Sequence, residues 1–277
     1  MPSFNKILVG IAFSPNLKPN LFEAVRLANL FNADLIGVHV GSKSKEKEEM
    51  LYTILKEADA LQNNFTAIWK AGKPVEVILE TCEKEQIDLL ILGALQKEKL
   101  YKYYVGSVAR KITRKAPCSI LLLIKPSVVR VACKHIVVNG LEDKKTEETI
   151  KTAFVVSDYL NCKKITIVEE IKQEDLRVKI EDDKSLRKAT IAKNRIELIE
   201  NRRVKNILKD INSNHLTVKT QSIFGKRGYS IGHYATIKRA DLLVMNAPKK
   251  LRLIDRIFPH DLEYILSELP TDVLIVK

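Results

Sequence analysis

The chain repeats itself, and this internal repeat restricts the possible folds more than any other feature. Residues 87–94 read IDLLILGA and residues 240–247 read ADLLVMNA, so the two segments lie 153 positions apart. The same spacing relates Pro117 to Pro270. A repeat of this length is too long for a solenoid unit and has the size of a domain. The sequence therefore predicts two copies of one domain.

The spacing between the copies is shorter near their starts. KILVG at 6–10 corresponds to HIVVN at 135–139, which is 129 positions later. The larger spacing further along predicts about 23 extra residues in the second copy, between about 169 and 217. We therefore predict a first domain over 1–127 and a second, degenerate domain over 131–277.

Each copy alternates short apolar runs with amphipathic segments. In the first copy the runs at 7–12 and 88–94 have the length of buried strands, whereas 19–33 has helical spacing. Four strand–helix units and a last strand indicate right-handed crossovers and an open parallel sheet. In the second copy, a charged, loop-like segment at 171–185 precedes a longer helix at 186–212.

Composition narrows the class of protein. Hydrophobic residues make up 45% and charged residues 29%, which is typical of soluble globular proteins. No apolar run approaches the length of a membrane span. The four cysteines form no CxxC motif, which favours free thiols in a cytoplasmic protein over disulfides or a zinc site. The net charge of +13 indicates a generally basic surface.

The carboxyl ends of the first and fourth strands are the expected ligand site, because ligands of open parallel sheets bind where the strand order reverses. In the first copy the fourth strand ends near Gly93, and Gly106 and Ser107 begin a helix. A glycine at the strand end lets a ligand approach the backbone. The helix start offers N–H groups, a hydroxyl and the positive end of the helix dipole to a phosphate.

With these residues the chain resembles the universal stress protein family, over all of the first copy and, with an insertion, the second. The resemblance implies an α/β fold of two tandem Rossmann-like (adenine nucleotide alpha hydrolase-like) domains. Each is a five-stranded parallel sheet of order 3-2-1-4-5 with helices on both faces. Nucleotide-binding members carry G-x2-G-x9-G-[ST] here. This chain has Gly93, Gln96, Gly106 and Ser107, and the glutamine is similar to that of members that bind ATP poorly.

Two further positions follow from the resemblance. Family members tend to carry an aspartate at the end of the first strand, where this chain has Ala12. An apolar residue at the end of the second strand lies against the adenine, so Val40 is the expected contact. His39 should face the other side of the sheet. The expected ligand is ATP or AMP, and neither catalytic nor metal-binding residues are predicted. The expected binding residues are Gly93, Gln96, Gly106, Ser107, Ala12 and Val40.

The second copy lacks most of this motif. At the corresponding positions Asn246 replaces the strand-end glycine, Lys249 replaces the glutamine, and Leu141 follows the first strand. The helix start reads Pro259 and His260, and a proline removes a backbone donor that a phosphate would need. We therefore expect no nucleotide in the second copy.

The resemblance implies a cytoplasmic stress-response or regulatory protein that acts by binding. An alternative is an ATP-binding, slowly hydrolysing nucleotide sensor that uses the first copy. The missing acidic metal ligand at position 12 weighs against it, because a triphosphate arrives with Mg²⁺. A third hypothesis is a basic nucleic-acid-associated protein, based on the charged run at 192–210. That run has no aromatic residues for base stacking, so nucleic acid is not the expected partner.

The resemblance also predicts how the copies meet. Family members dimerise through their last strands, so a tandem chain can pair 119–124 with 272–277 as an internal pseudo-dimer, and two chains can associate further as a homodimer. Such apolar strands would be an aggregation risk if left unpaired. Asp88 and Asp241 recur before a buried strand in each copy. We predict that each caps the loop that precedes it and takes no part in chemistry.

Overall fold

A computed structural model describes residues 3–59, 65–96, 103–172, 182–213, 215–247 and 261–277. In the first half the sheet strands are β1 (Lys6–Gly10), β2 (Asp34–Val40), β3 (Phe65–Lys70), β4 (Leu89–Gly93) and β7 (Ser119–Leu123). A small hairpin consists of β5 (Leu95–Gln96) and β6 (Tyr103–Tyr104). The helices are α1 (Leu17–Phe31), α2 (Lys45–Glu57), α3 (Pro74–Lys84) and α4 (Ser107–Lys115).

The second half repeats the order of these elements. Its strands are β8 (Ile136–Asn139), β9 (Lys164–Lys172), β10 (Thr217–Gly225), β11 (Leu242–Asn246) and β12 (Asp272–Val276), and its helices are α5 (Thr146–Leu160), α6 (Asp183–Leu208), α7 (Tyr229–Ile237) and α8 (Asp261–Ser267). Helix α6 has 26 residues and its counterpart α2 has 13, so much of the insertion lengthens one helix. The segment 171–185 was predicted to be mostly loop-like, and this was wrong at its start, where β9 continues through Lys172.

The strands form one continuous ten-stranded sheet. Its order is β10-β9-β8-β11-β12-β7-β4-β1-β2-β3, which is the order 3-2-1-4-5 in each half. Neighbouring strands within each half are parallel, and β12 pairs with β7 in the antiparallel direction. The predicted fold class is thereby confirmed. The domain bounds 1–127 and 131–277 stay a prediction.

The two halves meet about an approximate twofold axis. In the antiparallel pair Leu121 lies opposite Leu274, and these residues are 153 positions apart, the spacing that relates the repeats. Arg110 and Glu263 are also 153 positions apart, and Arg110 Nη1 lies 3.2 Å from Glu263 Oε2. Residues that the repeat makes equivalent therefore contact each other at the junction.

Each face of the sheet has its own hydrophobic core. Helices α1, α2, α5 and α6 cover one face, and α3, α4, α7 and α8 cover the other. Alternate strand residues such as Ile7 and Leu8 belong to opposite cores and are fully buried, as expected of parallel strands covered on both sides. Among the described residues, no helix is both long and apolar enough to cross a lipid bilayer.

Two equivalent aspartates fasten the first strand of each half. Asp88 Oδ2 accepts hydrogen bonds from the backbone N–H groups of Asn5 and Lys6, at 2.9 and 3.0 Å. Asp241 Oδ2 accepts from Lys134 and His135, at 2.8 and 2.9 Å. Both aspartates thus bind backbone, but their partners lie at the start of the first strand of each half and not in the preceding loop, so the predicted partner was wrong.

We expect Asp88→Ala and Asp241→Ala each to lower the free energy of unfolding by about 2–3 kcal/mol, because each loses two hydrogen bonds to a carboxylate. Equilibrium unfolding in urea measures the effect. The matched controls Asp88→Asn and Asp241→Asn keep one acceptor oxygen and should lose about half as much. An unchanged unfolding midpoint for either alanine variant would contradict the assigned role.

Candidate ligand-binding edges of the two halves

The first half brings its predicted site residues to one edge of the sheet. Ala12 follows β1 and is exposed, Val40 ends β2, and the exposed Gly93 ends β4. Because the strands are parallel, their carboxyl ends share an edge. Helix α4 leads back to the amino end of β7, so its first residue, Ser107, and its N-cap residue, Gly106, face the same edge.

Gly93 lies against an asparagine that sequence reasoning missed. A Cβ atom placed on Gly93 would lie 3.0 Å from Nδ2 and 3.2 Å from Oδ1 of Asn20 on α1. Oδ1 of Asn20 is buried and has no hydrogen-bond partner among the described residues. An unpaired buried acceptor costs about 1–3 kcal/mol, so a ligand that donates a hydrogen bond here would recover this energy.

The start of α4 is open to an anion. Gly106 is its N-cap residue, with φ −63° and ψ 164°, and no side chain caps the helix. The first turn has no acidic residue, and Ser107 is exposed. The first N–H groups of a helix lack partners within the helix and carry partial positive charge. The backbone of Gln96 in β5 pairs with that of Tyr103 in β6.

An aromatic cluster closes part of this edge on the face of α1 and α2. The His39 ring centroid lies 4.9 Å from that of Phe13 and 5.1 Å from that of Trp69. His39 Nδ1 is 3.0 Å from the Ile11 carbonyl oxygen. Val40 packs against the opposite core, as strand alternation predicts. Phe13 and Trp69 were not predicted, although both lie near the carboxyl ends of strands.

At the corresponding edge of the second half several side chains bind one another, although Oδ1 of Asn246 is buried without a partner among the described residues. Asn246, at the position of Gly93, donates from Nδ2 to Thr146 Oγ1 at 3.2 Å, and Thr146 Oγ1 donates to the Leu141 carbonyl. Asn139 Oδ1 accepts from the Leu141 N–H at 3.0 Å. The three other predicted positions lie outside the described residues, namely Lys249, Pro259 and His260.

Two adjacent carboxylates are buried at this second edge, and neither was predicted. Glu169 and Glu170 on β9 are 1% and 3% exposed. Glu170 accepts hydrogen bonds from the N–H groups of Gly228 and Ile231, at 2.8 and 2.9 Å. Glu169 Oε2 accepts from Ser222 Oγ at 2.9 Å, whereas Oε1 has no partner among the described residues. Burial raises the pKa of Glu169 to about 7.

Carboxylates also surround a cavity of about 390 Å³ at this edge. The described residues that line it are Leu141, Glu142, Glu170, Ile171, Ile196, Glu200 and Arg227. Glu200 forms an ion pair with Arg203 at 2.6 Å. In the part of the chain that the structure describes, no group of three histidine, cysteine or acidic residues could hold a metal ion. The four cysteines are free thiols.

The architecture recurs in solved structures over nearly the whole chain. A protein of unknown function from Pseudomonas aeruginosa superposes with a TM-score of 0.70 at 15% identity, covering 100% of this chain and 93% of that one. A universal stress protein from Archaeoglobus fulgidus also gives 0.70 at 15% identity, covering 99% and 97%. Identity this low shows the fold alone. The chain is thus a Rossmann-like α/β protein of the tandem type.

The comparison with protein families matches the amino-terminal half of the chain. Residues 3–123 match the model of the universal stress protein family. A universal stress protein of Methanocaldococcus jannaschii is 27% identical over an alignment of 123 positions that covers 38% of this chain and 72% of that protein. One from Methanothermobacter thermautotrophicus is 33% identical over 60 residues, 22% of this chain and 40% of that protein. The similarity to the universal stress protein family is thus shown for residues 3–123, the first half of the chain.

Proposed function

We propose that the chain is a cytoplasmic stress-response regulator that acts by binding. Its first half would hold an adenine nucleotide, ATP or AMP, weakly, and its second half would hold none. The observation that carries this proposal is the unpaired Oδ1 of Asn20 beside Gly93. It is a buried hydrogen-bond acceptor at the strand end where ligands of such sheets bind.

Three features of the first edge suit a nucleotide. Gly93 is exposed and lets Asn20 lie close to the strand end, and Asn20 can accept a hydrogen bond from an amino or hydroxyl group. The uncapped start of α4 at Gly106 and Ser107 suits a phosphate. Ala12 supplies no carboxylate to the nucleoside, which supports a low affinity.

The second edge suits an anion poorly. Asn246 places a side chain where the first half has a glycine, and this side chain binds Thr146. Glu142, Glu170 and Glu200 line the cavity there. Like charges at short range repel, so a triphosphate would be disfavoured at this edge.

Calorimetric titration of the full chain with ATP and AMP tests the proposal. We expect weak binding at the edge to which Gly106 belongs. Gly106→Val should weaken it by at least about tenfold, because a side chain there obstructs the phosphate. The backbone of Gly106 has φ −63°, which valine can adopt, and a Cβ atom would meet the exposed Leu95 side chain at 2.9 Å.

Asn246→Ala is the matched control, because Asn246 has the position of Gly93 in the second half. It should leave the nucleotide affinity unchanged. Two results would overturn the proposal. One is the absence of both binding heat and adenine carried through native purification. The other is a loss of affinity in Asn246→Ala as large as that in Gly106→Val.

A further inference from the structure

A cavity of about 850 Å³ lies between α7 and α8 and reaches residues of the first half. We call it the α7–α8 groove. Its volume lies within the range of about 300–1,000 Å³ that is usual for small-molecule sites. The aromatic and cationic side chains among its described lining residues are Tyr103, Lys125, Lys226, Tyr229, His233 and Tyr264.

Helix α7 places two nearly parallel aromatic rings in the groove. Tyr229, His233 and Thr236 are exposed and lie one turn apart, so they share a face of the helix. The rings of Tyr229 and His233 are inclined by only 8°, with centroids 6.3 Å apart. A planar ligand that stacks on one ring is therefore parallel to the other.

Cations lie beside the aromatic rings of the groove. Lys226 Nζ is 4.4 Å from the ring centroid of Tyr264, and Lys125 Nζ is 5.7 Å from that of Tyr103. Glu268 is the one carboxylate among the described lining residues. Two lysines against one glutamate give the groove a positive charge, which attracts anions.

The close approach of the two helices depends on a glycine. A Cβ atom on Gly232 of α7 would lie 2.9 Å from Ile265 Cδ1 of α8. A larger residue at this position would push the helices apart. Gly232 thus accounts for the spacing of the two walls.

We propose that the α7–α8 groove is a second binding site, separate from the edge at Gly93, and that it takes a small planar aromatic anion. The ring stacks on Tyr229 or His233, and the negative charge meets Lys226 or Lys125. Ring stacking and cation contacts together favour this class of ligand over a neutral ring or a bare anion. Residues of both halves line the groove, so the site requires the two halves to be joined.

Nuclear magnetic resonance of the ¹⁵N-labelled full chain tests the proposal, with AMP as the probe. We expect AMP to shift the amide resonances of Tyr229 and Gly232. Adenosine supplies the ring without the charge, and ribose 5-phosphate supplies the charge without the ring. Each should bind the groove roughly tenfold or more weakly than AMP. The Gly106 amide reports separately on the first edge, so the two sites can fail independently.

Variants of exposed residues identify the groups involved. Tyr229→Ala and Lys226→Met should each weaken the AMP response at Gly232 by roughly tenfold. Lys238→Met is the matched control. Lys238 lies at the end of the same helix, and its Nζ is 5.7 Å from the ring of Tyr234, but it does not line the groove. This variant should bind AMP as the unchanged protein does.

Three results would overturn the proposal. The first is an AMP titration that shifts no amide of α7 although the Gly106 amide responds. The second is an adenosine titration that shifts the α7 amides at the same concentrations as AMP. The third is a Lys238→Met variant whose AMP response is weakened as much as that of Lys226→Met.

Discussion

Replacing Glu170 with alanine is expected to lower the free energy of unfolding by about 3–5 kcal/mol. The carboxylate is 3% exposed and binds the buried N–H groups of Gly228 and Ile231 at the start of α7. Without it both donors lose their partner, at about 1–3 kcal/mol each, and a small cavity remains. The acid therefore acts as the N-terminal cap of a helix that is distant in sequence.

Urea unfolding measures the global effect, and hydrogen exchange measures the local one. In Glu170→Ala the amides of α7 should exchange faster than those of α5, which does not depend on this carboxylate. Glu170→Gln keeps one of the two acceptor oxygens, so one N–H group keeps its partner and the loss should be about half as large. An alanine variant as stable as the unchanged protein, with α7 still protected, would refute the capping role.

Stability is expected to fall as the pH rises from about 4.5 to above 7, and Glu169→Gln should remove much of this fall. The ordinary pKa of a glutamate is 4.5, and burial raises the pKa of Glu169 to about 7 in the folded state. Below pH 4.5 Glu169 is protonated in both the folded and the unfolded state, so its full contribution to the free energy of unfolding is present. Between the two values only the unfolded chain releases the proton, so the free energy of unfolding decreases, by about 3 kcal/mol in total.

Asp272 contributes with the same sign, because burial raises its pKa to about 7 as well. Urea unfolding at intervals from pH 4.5 to 8 should show a shallower slope in Glu169→Gln and the shallowest slope in the double variant with Asp272→Asn. Glu142→Gln changes an exposed carboxylate at the same edge and should leave the slope unchanged. Burial lowers the pKa of His135, which contributes with the opposite sign in this window, so the comparison between variants is decisive. A slope that is the same in Glu169→Gln as in the unchanged protein would contradict the argument.

The fold could be predicted because its elements follow local patterns. The apolar runs predicted as strands at 7–12 and 88–94 correspond to β1 and β4, and a helix begins at Ser107 as the sequence predicts. Because the sequence repeats, the strand order predicted for the first half also applies to the second. The adjacent acids Glu169 and Glu170 could not be predicted as buried, because acidic residues in a strand usually face water. The burial of Glu170 is explained by its hydrogen bonds to the N–H groups of Gly228 and Ile231, which the sequence does not show.

The candidate sites depend on contacts between residues that are distant in sequence. Asn20 and Gly93 are on different elements, so the unpaired amide oxygen is visible only in three dimensions. The α7–α8 groove likewise combines Tyr103 and Lys125 with residues of the second half. Gly93, Gly106 and Ser107 were found because the spacing of a family motif survives in the sequence. The spacing of the motif does not predict how tightly that edge binds a nucleotide.

The ion pair between Arg110 and Glu263 affects which half of the chain each half prefers to pair with. When identical chains meet about a twofold axis, a residue near the axis faces its own kind, and an arginine would face an arginine. Fusion of the copies removed that restriction, and the equivalent positions now carry opposite charges. Strands β7 and β12 also have neighbours on both sides. If the halves were produced as separate molecules, this contact would favour the mixed pair over either pair of like halves.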